Sequence, residues 1–289
     1  MKRRTFCVLL FLVTLIPSAR PGTLAQFRTA YGNIDVELYD QDKPVTVRNF
    51  LRYVQSGVYT NMFFHRCLPG FVIQGGGFKV SDRTDTNDAA VFYGVTNFGP
   101  ITNEFNVGPR RSNVFGTLAM AKLDGDPNSA SSQWFFNLAD NSTNLDNQNG
   151  GFTVFGQVIG GTNVLNQINT LSRSETNAGG IVDLRWWYGS QAAVFSDLPV
   201  SSGLDRPRFV DLSYVDVSLL GVQAQAVGNG KKQISWKSVG NKVNTVEFAT
   251  NLPPVWQTLA STNGTGSVVS VTDSSVSNSR RFYRVRVDY

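Results

Sequence analysis

The stretch Phe64-His65-Arg66, Phe71 and Gln74-Gly75-Gly76 sets one guanidinium, two large apolar rings and one amide close together ahead of a run of glycines. A second cluster follows at Met120-Ala121 and Ser132-Gln133-Trp134-Phe135-Phe136. Together these types describe an apolar pocket with one fixed cation and two amides at its rim. Such a pocket suits a neutral hydrophobic group flanked by peptide carbonyls. It does not suit hydrolysis, because the chain offers no pairing of nucleophile and base. Arg66 carries the chemistry in this reading, since a guanidinium stays charged and presents rigid donors. His65 is the one histidine of the chain, which excludes a multi-histidine metal site. Next to Arg66 on a strand, His65 and Cys67 face away from it and read as structural.

Other features read as architecture. Gly75-Gly76-Gly77 lacks the rest of a phosphate loop and reads as a turn with close backbone approach. Asp124-Gly125-Asp126 lacks a full calcium ligand set and reads as a solvated turn. No metal and no cofactor is expected.

The elements that must hold these residues follow from periodicity. Residues 27–40 alternate as a hairpin turning at Tyr31-Gly32-Asn33. Pro44 opens a helix with Val47, Phe50, Leu51 and Val54 at helical spacing, and Gly57 ends it. Strands are expected at Phe63–Arg66, Phe71–Gln74, Gly116–Ala121, Gln133–Leu138 and Thr153–Val158, with a long loop over Lys79–Asn113. Gly160-Gly161-Thr162 caps a second helix with core residues Val164, Leu165, Ile168 and Leu171, and Val210–Leu220 is a last strand. The pattern predicts a mainly β fold, an antiparallel barrel with two helices. From Gly221 to Tyr289 the composition shifts to alternating runs at Lys232–Trp236, Val243–Ala249, Val268–Thr272 and Phe282–Val287, which predict a small β-sandwich.

Composition supports folded modules: 41% hydrophobic and 16% charged residues describe a globular chain rather than a disordered one. The formal charge of +5 is unevenly spread. Residues 26–220 hold 14 basic and 18 acidic side chains, and residues 221–289 hold 8 and 3. A slightly acidic body argues against a nucleic-acid partner. Residues 1–25 read as a signal peptide, with Lys2-Arg3-Arg4, an apolar Phe6–Ile16 and a cleavage site at Thr23-Leu24-Ala25 that leaves Gln26 first. The apolar run is short for a membrane span, which needs about 20 residues. The expectation is a secreted or periplasmic protein without stable membrane insertion. Cys67 is then the sole mature cysteine, so no intrachain disulfide is expected.

At this point a resemblance emerges. "FHRCLPGFVIQGGGF" (Phe64 to Phe78) and "GTLAMAK…SASSQWFF" (Gly116 to Phe136) resemble the two signatures of the cyclophilin family of peptidyl-prolyl isomerases, the second in its bacterial form. The similarity runs over Gln26 to Leu220, more loosely over Asn177 to Asp205. It implies an eight-stranded barrel and the cis–trans isomerisation of Xaa-Pro bonds without a cofactor. It implies Arg66 as the catalytic residue, with Phe71, Val72 and Phe135 around the proline ring and Leu145 beneath. Gln74 would orient Arg66, Ala121 and Lys122 would pair through their backbone with the substrate, and Gln133 and Phe152 would edge the site. Three positions depart from the family: Val72 where methionine is frequent, Phe152 where histidine or tyrosine is, and Asn144 near the position of a tryptophan in many eukaryotic members. These departures bear on inhibitor response more than on catalysis.

The C-terminal "QISWKSVG…VEFATNLPPVWQTL…SRRFYRVRV" is similar to fibronectin-type-III-like modules appended to secreted bacterial proteins. The expected organisation is a signal peptide (1–25), an isomerase domain (26–220) and a sandwich (221–289). The expected partners are proline-containing peptides, with a surface or envelope partner for the sandwich, and the chain is expected to be a monomer. The competing reading is a non-catalytic proline-peptide binding or scaffold protein tethered by its C-terminal module.

Overall fold

The computed structural model describes residues 22–80, 91–173, 179–185, 189–201, 207–238, 243–251, 255–274 and 281–288. The expected signal segment up to residue 21 lies outside the described residues. In chain order the N-terminal elements are β1 (Leu24–Thr29), β2 (Gly32–Leu38), α1 (Pro44–Gln55), β3 (Met62–Phe63), β4 (Arg66–Leu68), β5 (Val72–Gly75), β6 (Phe78–Val80), β7 (Phe92–Gly94), β8 (Thr117–Met120) and β9 (Trp134–Asn137). Then come α2 (Ser142–Leu145), β10 (Val154–Gly160), α3 (Thr162–Asn169), β11 (Gly180–Val182), β12 (Leu198–Val200) and β13 (Tyr214–Leu219).

Eleven of these strands form one sheet in the order β4-β5-β9-β8-β10-β2-β1-β13-β3-β6-β7. The sheet closes on itself because β3 and β4 are parts of one chain run. Only Phe64 and His65 separate them, and these two switch partners: Phe64 N–H donates to Ser213 O at 2.9 Å, and His65 N–H to Gln74 O at 3.1 Å. Likewise β5 and β6 form one run, broken at Gly76-Gly77. Counted as runs, the closed ring has eight strands, as expected, and β7 is appended to β6. The expected single strand Phe63–Arg66 is thus the point where the ring changes partners.

Strand alternation sorts the barrel's residues. Cys67, Ile73, Leu118, Met120, Trp134 and Phe136 join the interior cluster with Phe27, Phe50 and Phe155. The Phe27 ring stands edge-on to Trp134 and Phe136, both at 4.9 Å between centroids. Truncating a fully buried ring such as Trp134 typically costs about 3–5 kcal/mol. The glycines of the first cluster exist for this residue. A Cβ on Gly75 would lie 2.7 Å from Trp134 Cη2, and one on Gly76 would lie 2.4 Å from Ser132 O, at a φ of +77°.

Helix α1 begins at Pro44, where a missing N–H costs nothing. Its first amides are capped from a distance: the Glu104 carboxylate accepts from Val45 N at 3.1 Å and Thr46 N at 2.7 Å. The buried Lys43 ammonium returns the link, donating to Glu104 O at 2.9 Å and Val107 O at 2.5 Å. Part of the long expected loop is thereby tied to the helix start. Helix α3 buries Val164, Leu165 and Ile168 as expected, while Leu171 lies past its end and is half-buried.

Three features were not expected. Strand β7 and all but the first residue of β6 lie inside the stretch read as loop. The single-turn α2 is a third helix. The segment between α3 and β13 forms its own two-stranded sheet, β11 with β12, around a second core of Phe63, Phe195, Leu198 and Phe209. The expected strand Val210–Leu220 begins only at Tyr214, because Phe209–Asp211 is a 3₁₀ turn.

The C-terminal strands are β14 (Val222–Ala226), β15 (Lys232–Lys237), β16 (Val243–Ala249), β17 (Gln257–Asn263), β18 (Val268–Asp273) and β19 (Phe282–Asp288). They form two three-stranded antiparallel sheets, β14-β15-β18 and β17-β16-β19. Ile234 and Trp236 of one sheet pack with Val246 of the other, flanked by Val222, Val269, Val271, Leu259, Tyr283 and Val285. This is the expected sandwich, with β14 and β17 added to the four runs read from sequence. An ion pair between Arg281 and Asp273 at 2.6 Å, and a hydrogen bond from Tyr283 Oη–H to Asp273 at 2.8 Å, link β19 to the end of β18. At the N-terminus the structure shifts one boundary. Leu24 and Ala25 belong to β1, with Ala25 fully buried and paired to both Val36 and Leu219, so the barrel starts before Gln26.

Candidate active site

The site lies on the outer wall of the barrel, across β4, β5, β9, β8 and β10. Register places Arg66 opposite Gln74, Gln74 opposite Phe135, Phe135 opposite Ala119, and Ala119 opposite Val154. These five residues therefore form one row on the same face, because side chains directly opposite each other across a ladder share a face. Arg66 and Gln74 form its half-buried polar end, and Phe135, Ala119 and Val154 its buried apolar end.

An apolar cluster separate from the barrel interior surrounds the apolar end. Val72, Ala119, Phe135, Leu145 and Val154 are buried in it, with Phe71, Ala121, Phe152 and Tyr39 packed half-exposed against them. The Phe135 and Phe152 rings meet at 5.9 Å with planes at 67°. Leu145 reaches this cluster because the unexpected α2 turn carries it there. The structure thus joins Phe71, Val72, Phe135 and Leu145 with Ala121 and Phe152 in one cluster on the face that carries Arg66.

The polar rim differs in detail from that reading. Gln74 faces Arg66 in register, but its side-chain Nε2–H donates to Gln133 Oε1 at 2.7 Å. The Gln133 amide also lies near the His65 ring, both against Gly77. Burial pushes His65 down to about 4, opposed by the Gln133 amide and aided by the neighbouring Arg66 charge. At 3% exposure, with its ring edge-on to Phe78 at 5.1 Å, His65 is a neutral buried support and not a surface base.

Ala121 N–H donates to Gln133 O at 2.9 Å, which fixes the end of β8 against the start of β9. The side chain of Lys122 turns away from Arg66. Its ammonium donates to Asn149 O at 2.6 Å and Gly151 O at 2.7 Å and lies 4.6 Å from the Phe152 ring centre. Burial lowers it to about 8, against the pull of Asp126. Lys122 thereby clips the 149–151 loop, in which Asn149, Gly150 and Gly151 all have positive φ, behind the Phe152 edge. Asn144 is exposed on α2. A cleft of about 400 Å³ continues from the rim, lined by Gln74, Gln133, Ala121, Lys122, Asn97 and Ser131 among others.

Sequence reasoning missed Ala119 and Val154 in the apolar wall and three asparagines beneath it, Asn113, Asn137 and Asn141. The signal for Asn137 was available: it interrupts an otherwise apolar strand, Trp134-Phe135-Phe136-Asn137, and is fully buried. A buried amide needs partners.

Comparison with known proteins agrees with this geometry. Residues 24–183 match the family described as cyclophilin type peptidyl-prolyl cis-trans isomerase/CLD. Over 157 residues the chain is 38% identical to a peptidyl-prolyl cis-trans isomerase of Acinetobacter baylyi, covering 54% of this chain and 77% of that one. It is 41% identical over 154 residues to peptidyl-prolyl cis-trans isomerase A of Dickeya dadantii, covering 53% and 74%. It is 37% identical over 149 residues to peptidyl-prolyl cis-trans isomerase B of Escherichia coli, covering 50% and 83%. With the outer-wall row of Arg66, Gln74 and Phe135 inside the matched segment, this chain belongs to the cyclophilin-type peptidyl-prolyl cis–trans isomerases.

Proposed function

We propose that this isomerase acts on Xaa-Pro bonds of exported proteins and so speeds their folding, with Arg66 as its catalytic residue. The observation that carries the role of Arg66 is its place in the row: a guanidinium at the polar end and a buried apolar wall at the other. The wall of Phe71, Val72, Phe135, Leu145 and Phe152 holds the pyrrolidine ring still. The acyl side of the bond then rotates against it.

Rotation about the prolyl amide breaks no covalent bond and needs only loss of C–N double-bond character, whose barrier is about 18–20 kcal/mol. Uncatalysed, the step takes tens to hundreds of seconds. As the amide twists, its nitrogen becomes pyramidal and the lone pair it shared with the carbonyl is localised on it. A guanidinium N–H aimed at that nitrogen stabilises the twisted state more than either planar isomer, so binding energy is spent on the transition state. The Gln74–Gln133 pair offers amide groups to the peptide carbonyls beside the proline. Neither a proton transfer nor a nucleophile enters, which is consistent with a buried, neutral His65.

Export is supported by the basic and apolar pattern of residues 2–16. Because Leu24 and Ala25 pair within β1, we place the processing site upstream of Gly22. The sandwich, similar in sequence to fibronectin-type-III-like modules, adds binding surface and sets location. The test is isomerisation of a short proline peptide by the wild type and by Arg66→Ala. Loss of an electrostatic donor of this kind lowers the rate by about 10²–10³-fold. Equal turnover by a folded variant would refute the role of Arg66, and an inactive wild type would favour a binding-only scaffold.

A further inference from the structure

Beneath the apolar wall lies a cluster of buried amides that no step above uses. Asn113 and Asn137 are fully buried, and Asn141 is 6% exposed. Asn137 Nδ2–H donates to Asn113 Oδ1 at 3.2 Å and to Thr117 Oγ1 at 2.8 Å, and Asn137 Oδ1 accepts from Asn141 Nδ2–H at 2.8 Å. Asn137 is therefore the hub between the other two.

Each of the other two holds a wall of the pocket. Asn141 Nδ2–H donates to Phe71 O at 2.8 Å, and Asn141 O accepts from Leu145 N–H at 2.8 Å. Asn113 Nδ2–H donates to Phe152 O at 3.0 Å and to Asp146 Oδ1 at 2.8 Å. Phe71 immediately precedes β5, and Phe152 lies two residues before β10. Neither ring residue sits within a strand: Phe71 O accepts from Leu138 N–H at 2.8 Å, and Phe152 N–H donates to Leu145 O at 2.9 Å. The Leu145 and Phe152 walls are thus joined to each other directly, and the three amides tie that pair to the Phe71 wall.

We propose that Asn137 is the positioning residue of the pocket: through Asn113 and Asn141 it sets the spacing between the Phe71 wall and the Leu145 and Phe152 walls. This rests on the reading that the pocket seats the proline ring. A positioning role predicts a particular kinetic split. The walls grip the ring equally in the planar and the twisted states, so loosening them removes uniform binding. Arg66, by contrast, acts on the twisted state alone.

The experiment combines kinetics with a readout independent of activity. Asn137→Ala and Asn113→Ala are assayed on a proline peptide beside Arg66→Ala and Val217→Ala, the last destabilising the barrel interior at β13, a strand that carries no residue of the pocket. Losing a buried hydrogen-bond partner is expected to raise KM about tenfold in Asn137→Ala while kcat stays within about twofold. Val217→Ala keeps the wild-type KM, and Arg66→Ala loses kcat. In protein labelled with ¹³C at phenylalanine rings, Asn137→Ala moves the Phe71 and Phe152 resonances together, and Asn113→Ala moves Phe152 alone. Unmoved rings, or moved rings with an unchanged KM, would overturn the proposal. If Asn137→Ala fails to fold, Asn113→Ala decides by the same two readouts. If the wild type lacks activity, the isomerase reading falls and the ring resonances alone decide the spacing.

Discussion

The side-chain amide of Gln74 donates to Oε1 of Gln133 at 2.7 Å across 59 residues of chain. The bond joins the two sequence blocks that carry the site, one ending at the triple glycine and one starting β9. It also leaves Gln133 between Gln74 in front and the buried His65 ring behind.

Gln133→Leu removes the acceptor and frees Gln74 to turn. The expected result is a drop in kcat/KM of about tenfold, the size of one lost partner for a partly buried polar group. The peptide isomerisation assay measures it. A change smaller than twofold in a folded variant would make the glutamine pair a bystander.

His65 makes stability depend on pH. The folded chain holds it neutral down to about 4, whereas an unfolded histidine takes up a proton near 6.5. The folded pKa is depressed, so the contribution is fully present above pH 6.5 and is lost as pH falls towards 4. The difference between these two values corresponds to about 3 kcal/mol over that window. Urea midpoints measured from pH 7 to pH 4 are expected to fall, and His65→Gln is expected to flatten that window. A wild-type curve no steeper than that of the variant would show that another group dominates.

Every residue of the outer-wall site lies between Tyr39 and Val154, and the sandwich has its own core of Ile234, Trp236 and Val246. A chain ending at Gly221 is expected to fold and to keep wild-type kcat/KM on a short peptide. A folded truncation with a large loss of activity would mean that the sandwich completes the site.

Ala25 is buried and paired on both sides in β1. Under the export proposed above, the processed chain is expected to start at or before Gly22, as read by intact mass or N-terminal sequencing. A folded, active protein beginning at Gln26 would contradict the register assigned to that strand.

The residues nearest the chemistry were the most legible. Arg66, Phe71, Gln74, Gln133 and Phe135 lie in short runs whose alternation already tells which face each side chain takes. Val47, Phe50 and Val164, Leu165, Ile168 announced their helices in the same way. What stayed hidden depends on partners distant in sequence. β7 is three residues long and exists only because β6 is beside it. α2 is a single turn held by Asn141 and its neighbours rather than by propensity. Asn137 looks like a flaw in an apolar strand until Asn113, Thr117 and Asn141 are brought around it. The break at Phe64-His65 is likewise a property of the closed ring, because only closure gives those two residues different neighbours. A small apolar residue such as Ala25 suits both a processing site and a buried strand position, so sequence alone does not show that it pairs within β1.

The placement of the site on the barrel's exterior has a consequence for what it can grip. An interior cavity must swallow its ligand whole or take it by an end. A pocket on a convex outer wall is met sideways, and only the few residues around one bond need to touch it. A long polypeptide can therefore be engaged anywhere along its length, with both of its arms trailing into solvent. What limits such a catalyst is then neither the size of its client nor the distance to a terminus. The limit is whether the client leaves one proline turn protruding far enough to be pressed against the wall.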